Sequence, residues 1–107
     1  MNPDVPWPRE VFIDLDPDIR IRYRRTERPP ISYAIVLETR VNSDWTVIRL
    51  WDNAHSIDEH HEHEYTSTQG KREPTLQPFT TVNQAMAAAM TRAAEDWPTI
   101  LENWRSR

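Results

Sequence analysis

The sequence predicts an α+β protein, in which an antiparallel sheet of about five strands forms a meander and C-terminal helices pack on one face. Two observations support this prediction. Apolar and polar residues alternate in short runs between residues 9 and 66, which is the period of half-buried strands. Apolar residues then recur at helical spacing between residues 81 and 106. A chain of 107 residues is expected to form a single domain around one core.

The first strands follow a proline-rich start. Residues 1–8 hold three prolines and are expected to form an extended arm. Alternation over residues 11–15 predicts the first strand, and the Asp-Pro-Asp sequence at residues 16–18 predicts a turn. Residues 19–24 alternate again and predict the second strand. One face of that strand carries only arginine side chains, those of Arg20, Arg22 and Arg24.

The middle of the chain predicts three more strands. Both faces of residues 31–40 are largely apolar, so this strand is expected near the centre of the sheet. A turn at 42–44 leads to a strand over 45–51. A loop over 52–55 then leads to a strand over 59–66.

The C-terminal part of the chain predicts helix. Residues 67–80 are polar and are expected to form a loop before it. Apolar residues then recur every three or four positions from Val82 to Trp104. Pro98 lies within this stripe, and proline lacks a backbone donor and disfavours helix in the residue before it. We therefore expect a helix over 81–96, a break, and a short helix near 98–105.

All four histidines lie in the stretch 51–65, together with five carboxylates and without lysine or arginine. Because histidine titrates near neutrality, acid–base catalysis is one interpretation. It assigns His55 and His61 as the pair, with His63 as the substitute. Asp52 would orient a ring, and the arginine face with Tyr65 would hold a substrate. Cleavage of RNA at the 2′-hydroxyl needs such a base, an acid and a cation, and it needs no metal.

Two other interpretations of the histidines stay open. The first is a metal site formed by His55, His61 and His63, since imidazole is a good ligand for transition metals. No cofactor is predicted, and zinc or nickel bound there would be adventitious. The second is a polar loop and edge strand whose side chains are solvated and keep the edge from aggregating.

The order of these features resembles the TumE-like toxins of prokaryotic toxin–antitoxin modules. In that family a strand ends in aromatic-Asp-Asn and is followed by a His-containing stretch, a strand and a helix. The matching residues within 31–66 are Trp51-Asp52-Asn53, His55, His60, His61, His63 and Tyr65. The resemblance implies an RNA-directed toxin with an antitoxin protein as its partner. The same segment is also similar to a group of actinobacterial and phage-borne proteins of unknown function.

Composition excludes some classes of function and leaves an alternative. Without cysteine there is no disulfide, thiolate metal site or cysteine nucleophile. No apolar run approaches the roughly 20 residues that span a bilayer, and the N-terminus lacks a signal-peptide pattern. We therefore expect a cytoplasmic protein without membrane contacts.

The alternative to a toxin enzyme is a non-enzymatic binding module of a phage or mobile element, including one that forms a homodimer.

Overall fold

A seven-stranded antiparallel sheet and one helix make up the described part of the chain, which confirms the predicted α+β class. The structure is a computed structural model. It describes residues 9–56, 59–79 and 81–106, and all their side chains except those of residues 9 and 54–56. The predicted arm over 1–8 lies outside the described residues. The elements are β1 (Arg9–Asp16), β2 (Ile19–Arg25), β3 (Tyr33–Val41), β4 (Asp44–Ser56), β5 (Glu59–Thr66), β6 (Gly70–Lys71), β7 (Thr75–Gln77) and α1 (Val82–Arg105).

The strands follow one another in space as they do along the chain, so the predicted meander is confirmed. The order is β1-β2-β3-β4-β5-β6, and β7 also pairs with β5. The turn between β3 and β4 consists of Asn42 and Ser43, both with positive φ. Two such residues form the mirror-image turn that matches the twist of an antiparallel hairpin.

Two stretches predicted as loops contain strand. Residues 67–80 include β6 and β7, whose polar sequences show no alternation but whose backbones pair with β5. The prediction of a loop over 52–55 is also wrong, because β4 continues to Ser56. In both places the backbone groups of β5 offer hydrogen-bond partners to the neighbouring segment. Backbone pairing of this kind leaves no apolar pattern in the sequence, so the sequence does not predict it.

A bulge in β4 separates two tryptophans onto opposite faces of the sheet. Trp45 and Trp51 are six positions apart and would share a face in a regular strand. The register shifts by one residue near Leu37, and Ile48 is the extra residue. As a result Trp51 lies opposite Ile35 on the face that α1 covers, whereas Trp45 lies opposite Arg40 on the other face.

The core lies between α1 and one face of the sheet. The fully buried residues of that face are Ile19, Ile21, Tyr33, Ile35, Leu37 and Ile48. They pack against a stripe on α1 formed by Ala85, Met86, Ala89, Ala93, Ile100 and Leu101. No helix among the described residues combines the length and the apolar character needed to cross a membrane.

The predicted break at Pro98 is wrong, because α1 is one continuous helix. It begins after Thr81, whose side chain accepts a hydrogen bond from the backbone N–H of Gln84, as expected of an N-cap. Pro98 and Ala94 are both exposed, so the carbonyl that loses its helical partner lies on the solvent side. Burial of Ile100 and Leu101 on the sheet favours continuing the helix beyond the proline.

Candidate functional site

The face of the sheet opposite α1, here called the open face, carries seven of the eight residues predicted as a site. Two rows of paired residues cross it from β2 to β5. One row runs through Arg22, Val36, Leu50 and His63, and the other through Arg24, Ala34, Asp52 and His61. By the two-residue period of a strand, Arg20 and Tyr65 lie on the same face. The eighth residue is His55, whose side chain lies outside the described residues.

The centre of the open face is a buried hydrogen bond between Asp52 and His63. Nε2 of His63 lies 3.0 Å from Oδ1 of Asp52, and His63 is only 1% exposed. In β-sheet register Asp52 lies opposite His61, so His63 is its diagonal neighbour on the same face. The sequence predicts that Asp52 orients a histidine ring, and in the structure the ring that it contacts is that of His63.

Burial lowers the pKa of His63 below its usual value of 6.5. The hydrogen bond and the charge of Asp52 act in the opposite direction, while Lys71 and His61 lower the pKa further. His63 is therefore neutral at pH 7. In that state its Nε2–H donates to the carboxylate of Asp52, and Nδ1 carries the lone pair of the ring.

An open groove of about 320 Å³ runs beside His63, and the carboxylate of Glu73 and two cations line it. The cations are Lys71 and Arg72, and Lys71 lies opposite Tyr65 in the β5–β6 pair. Neither was predicted as a site residue, because their stretch was predicted to be a loop. The only signal in the sequence is the Lys-Arg pair directly after Gly70, in an otherwise polar stretch.

His61 and Tyr65 flank His63 along β5. The ring centroids of His61 and His63 are 6.1 Å apart, and the rings are tilted by 39°. Burial, followed by the charge of Asp52, raises the pKa of Tyr65, so its hydroxyl stays protonated at neutral pH. These two side chains can therefore supply polar groups next to His63 on the open face.

The three arginines of β2, Arg20, Arg22 and Arg24, lie apart from His63. Three strand spacings of about 4.8 Å separate β2 from β5, which places the backbones about 14 Å apart. The carboxylate of Glu38 is almost fully buried and accepts a hydrogen bond from Nε of Arg20 at 2.9 Å. It also forms an ion pair with Arg22, whose Nη2 lies 3.2 Å away. Burial and the neighbouring Arg22 lower the pKa of Arg24. The arginines form their own cationic patch, and the structure does not bring them to the Asp52–His63 pair.

Aromatic rings enclose one of these arginines. The guanidinium carbon of Arg20 lies 4.6 Å from the ring centroid of Phe12 and 4.1 Å from that of Trp45. Arg40 lies 4.8 Å from the same Trp45 ring. Cation–π contacts and the bond to Glu38 thus hold the Arg20 side chain against the sheet.

Asn53 has a structural role that the sequence did not reveal. Its Oδ1 accepts a hydrogen bond from the backbone N–H of Tyr33 at 2.9 Å, and its Nδ2 donates to the carbonyl of Ile31 at 2.8 Å. The side chain is almost fully buried. Asn53 therefore fixes the start of β3, while the adjacent Asp52 orients His63.

The described part of the chain contains no cluster of ligand side chains that would support the interpretation as a metal site. No group of three or more histidine or carboxylate side chains there is placed to hold a metal ion. The predicted triplet also requires His55, which that part does not include. His60 lies on the other face, where its Nδ1 is 3.0 Å from the hydroxyl of Tyr33.

Comparison of the chain with models of known protein families, with curated proteins and with solved structures finds no match. The resemblance to TumE-like toxins stays a prediction from residues 31–66.

Proposed function

We propose that the chain is an RNA-directed toxin that cleaves phosphodiester bonds without a metal ion, with His63 as the general base. The buried hydrogen bond between Asp52 and His63 is the observation that supports the proposal most. It pairs a neutral imidazole with a carboxylate that fixes its tautomer, as general-base catalysis requires.

Nδ1 of His63 is buried in the structure, so cleavage requires that RNA in the adjacent groove opens access to it. Nδ1 then accepts the proton of a ribose 2′-hydroxyl. The 2′-oxygen then forms a bond to phosphorus, and the bond from phosphorus to the 5′-oxygen breaks. Asp52 stabilises the imidazolium that forms, because its carboxylate already holds Nε2. The lowered pKa of His63 keeps the base in its reactive form at neutral pH.

Lys71 and Arg72 supply the positive charge of the mechanism. The attacked phosphate passes through a pentacoordinate state with additional negative charge on its oxygens. Cations that already line the groove beside His63 stabilise that state with little reorganisation. The sequence predicts this role for the arginines of β2, but Arg20 and Arg22 pair with Glu38, and their strand lies about 14 Å from β5.

His61, in its protonated form, donates a proton to the departing 5′-oxygen. The products are a 2′,3′-cyclic phosphate and a 5′-hydroxyl, and the proton that His63 gains equals the one that His61 loses. Arg22 and Arg24 contact phosphates of neighbouring nucleotides farther along the strand. In the cell, an antitoxin protein would bind the toxin and block the groove.

The test incubates purified protein with a single-stranded RNA and with the matching DNA, both in EDTA. We expect cleavage of the RNA alone, with cyclic phosphate ends detected by mass spectrometry. His63→Gln should lower the rate about 10²- to 10⁴-fold, as for loss of a general base. His60→Gln is the matched control, since His60 is on the same strand and the opposite face. Intact RNA with the wild type, or equal rates with His63→Gln, would refute the proposal.

A protein-binding module is the second candidate function, and one observation favours it. Val11, Phe12 and Ile13 are consecutive and exposed on β1, which lies at the edge of the sheet, with Phe12 exposed by 52%. Exposed apolar edges of this kind bind partner proteins or a second copy. Growth arrest on induced expression separates the candidates. A binding module stays toxic with His63→Gln and loses toxicity with Phe12→Ser, whereas the enzyme shows the reverse.

A further inference from the structure

A cavity of about 130 Å³ lies on the other side of the sheet, beneath α1. Three aromatic side chains line it, those of Tyr33, Trp51 and Phe79. Three alanines of the helix complete the wall, Ala85, Ala88 and Ala89. Short side chains on α1 thus leave a space between the helix and the sheet that larger residues would fill. An apolar cavity of about 150 Å³ is large enough to bind benzene.

A buried polar pair lines the same cavity. The hydroxyl of Tyr33 is 3.0 Å from Nδ1 of His60, their ring centroids are 5.8 Å apart, and both residues are at least 97% buried. Burial, followed by the charge of Asp52, raises the pKa of Tyr33, so the phenol keeps its proton at neutral pH. A phenol oxygen carries two lone pairs, so the oxygen of Tyr33 can accept a hydrogen bond from a ligand with either tautomer of His60.

The mouth of the cavity carries ion pairs. Arg92 is the most exposed lining residue, with 47% of its side chain accessible. It pairs with Asp96 at 3.2 Å and lies 4.0 Å from Glu62, which in turn pairs with Arg49. Arg49 also lies 3.8 Å from Glu64, so these charged groups pair with one another. Aromatic and alanine side chains form most of the lining, so an uncharged ligand fits best.

We propose that this cavity binds a neutral, single-ring aromatic molecule with one hydrogen-bond donor, of the chemical class of a phenol. The ring packs between Trp51 and Phe79 and against the alanines of α1. The donor of the ligand bonds to the hydroxyl oxygen of Tyr33. His61, which the proposed function uses on the open face, also lines this cavity, but binding of the ligand does not depend on RNA cleavage.

The test uses phenol and benzene as ligands of the full chain, with binding followed by NMR shifts of the amides of residues 85, 88 and 89. We expect saturable binding of both. Ala88→Leu fills the cavity and should weaken both at least about tenfold, whereas Ala87→Leu on the exposed side should not. Tyr33→Phe removes the acceptor and should weaken phenol about three- to tenfold while sparing benzene.

Each result decides part of the proposal. Absence of saturable shifts at these amides, or equal binding by Ala88→Leu and Ala87→Leu, would overturn it. Equal loss of phenol and benzene in Tyr33→Phe would overturn the assigned hydrogen bond. Ala88 is partly exposed, so its leucine variant is expected to fold, and a thermal unfolding curve checks this. Competition between benzene and phenol supplies a second measurement on the unaltered chain.

Discussion

Asp52 and Asn53 show how two adjacent polar residues of one strand act on different parts of the molecule. Asp52 bonds His63 on the open face, and Asn53 bonds the backbone at the start of β3. Both side chains are buried, and a buried polar group is stable only when its hydrogen bonds are made. The sequence Asp-Asn is therefore explained by two sets of contacts and not by the turn that it usually indicates.

The stability of the fold should depend on pH through His63. Its pKa is lowered in the folded state, so in mildly acidic solution the folded chain binds fewer protons than the unfolded chain at this residue. The stability that the neutral ring contributes is complete above about pH 6.5 and is lost as the pH falls through the lowered value. We expect the wild type to lose more free energy of unfolding than His63→Gln between pH 7.5 and pH 4.5.

Urea unfolding of both proteins at a series of pH values measures this difference. Parallel pH profiles for the wild type and His63→Gln would contradict the assignment of a neutral, buried His63.

The period of a strand was enough to place His61, His63 and Tyr65 on one face. It could not decide which histidine bonds Asp52, because a diagonal contact depends on the register of β4 against β5. It also could not reveal Lys71, since the pairing of β6 with β5 involves only a few backbone bonds and leaves no apolar pattern. The sequence thus predicts which side chains share the open face, and the register determines which of them meet.

At the scale of elements, α1 passes through Pro98 where local preferences predict a break. Proline in a helix interior is less favourable than alanine by about 3 kcal/mol. The last turns nevertheless bury Ile100 and Leu101 and pack Trp104 against the core. Sequence preference for helix is local, whereas the burial that outweighs it arises only when the sheet has formed.

Pro98→Ala should therefore stabilise the protein. The substitution restores the hydrogen bond to the carbonyl of residue 94 at an exposed position, where no packing is lost. We expect the free energy of unfolding to rise by about 1–3 kcal/mol. Thr99→Ala, at the exposed neighbouring position, is the control and should gain less. Equal gains would show that the proline imposes no cost in this helix.

At the scale of the whole molecule, small residues on α1 govern how closely the helix approaches the sheet. Ala85, Ala89 and Ala93 are four residues apart and buried, so they form a narrow stripe along one side of the helix. The large side chains of the core come from the sheet, including those of Ile35, Leu37 and Trp51. Ala85 and Ala89 border the cavity beneath α1, whereas at the fully buried Ala93 close approach of the helix to the sheet depends on the absence of bulk.

Ala93→Leu should separate helix and sheet and lower the free energy of unfolding by about 1–3 kcal/mol, as overpacking of a filled core does. Ala93 is fully buried, and the exposed Ala94 beside it offers the matched control Ala94→Leu. Chemical denaturation of both variants measures the difference. A leucine tolerated equally well at both positions would mean that the core has room at Ala93.

The meander has a consequence for synthesis on the ribosome. Each strand from β2 to β5 pairs with the strand before it, so hairpins can form as the chain emerges from the exit tunnel. The residues of α1 follow all seven strands, and until they appear the apolar face of the sheet is exposed to water. The nascent sheet therefore resembles a substrate for chaperones that bind apolar surfaces, and docking of the helix ends that interval.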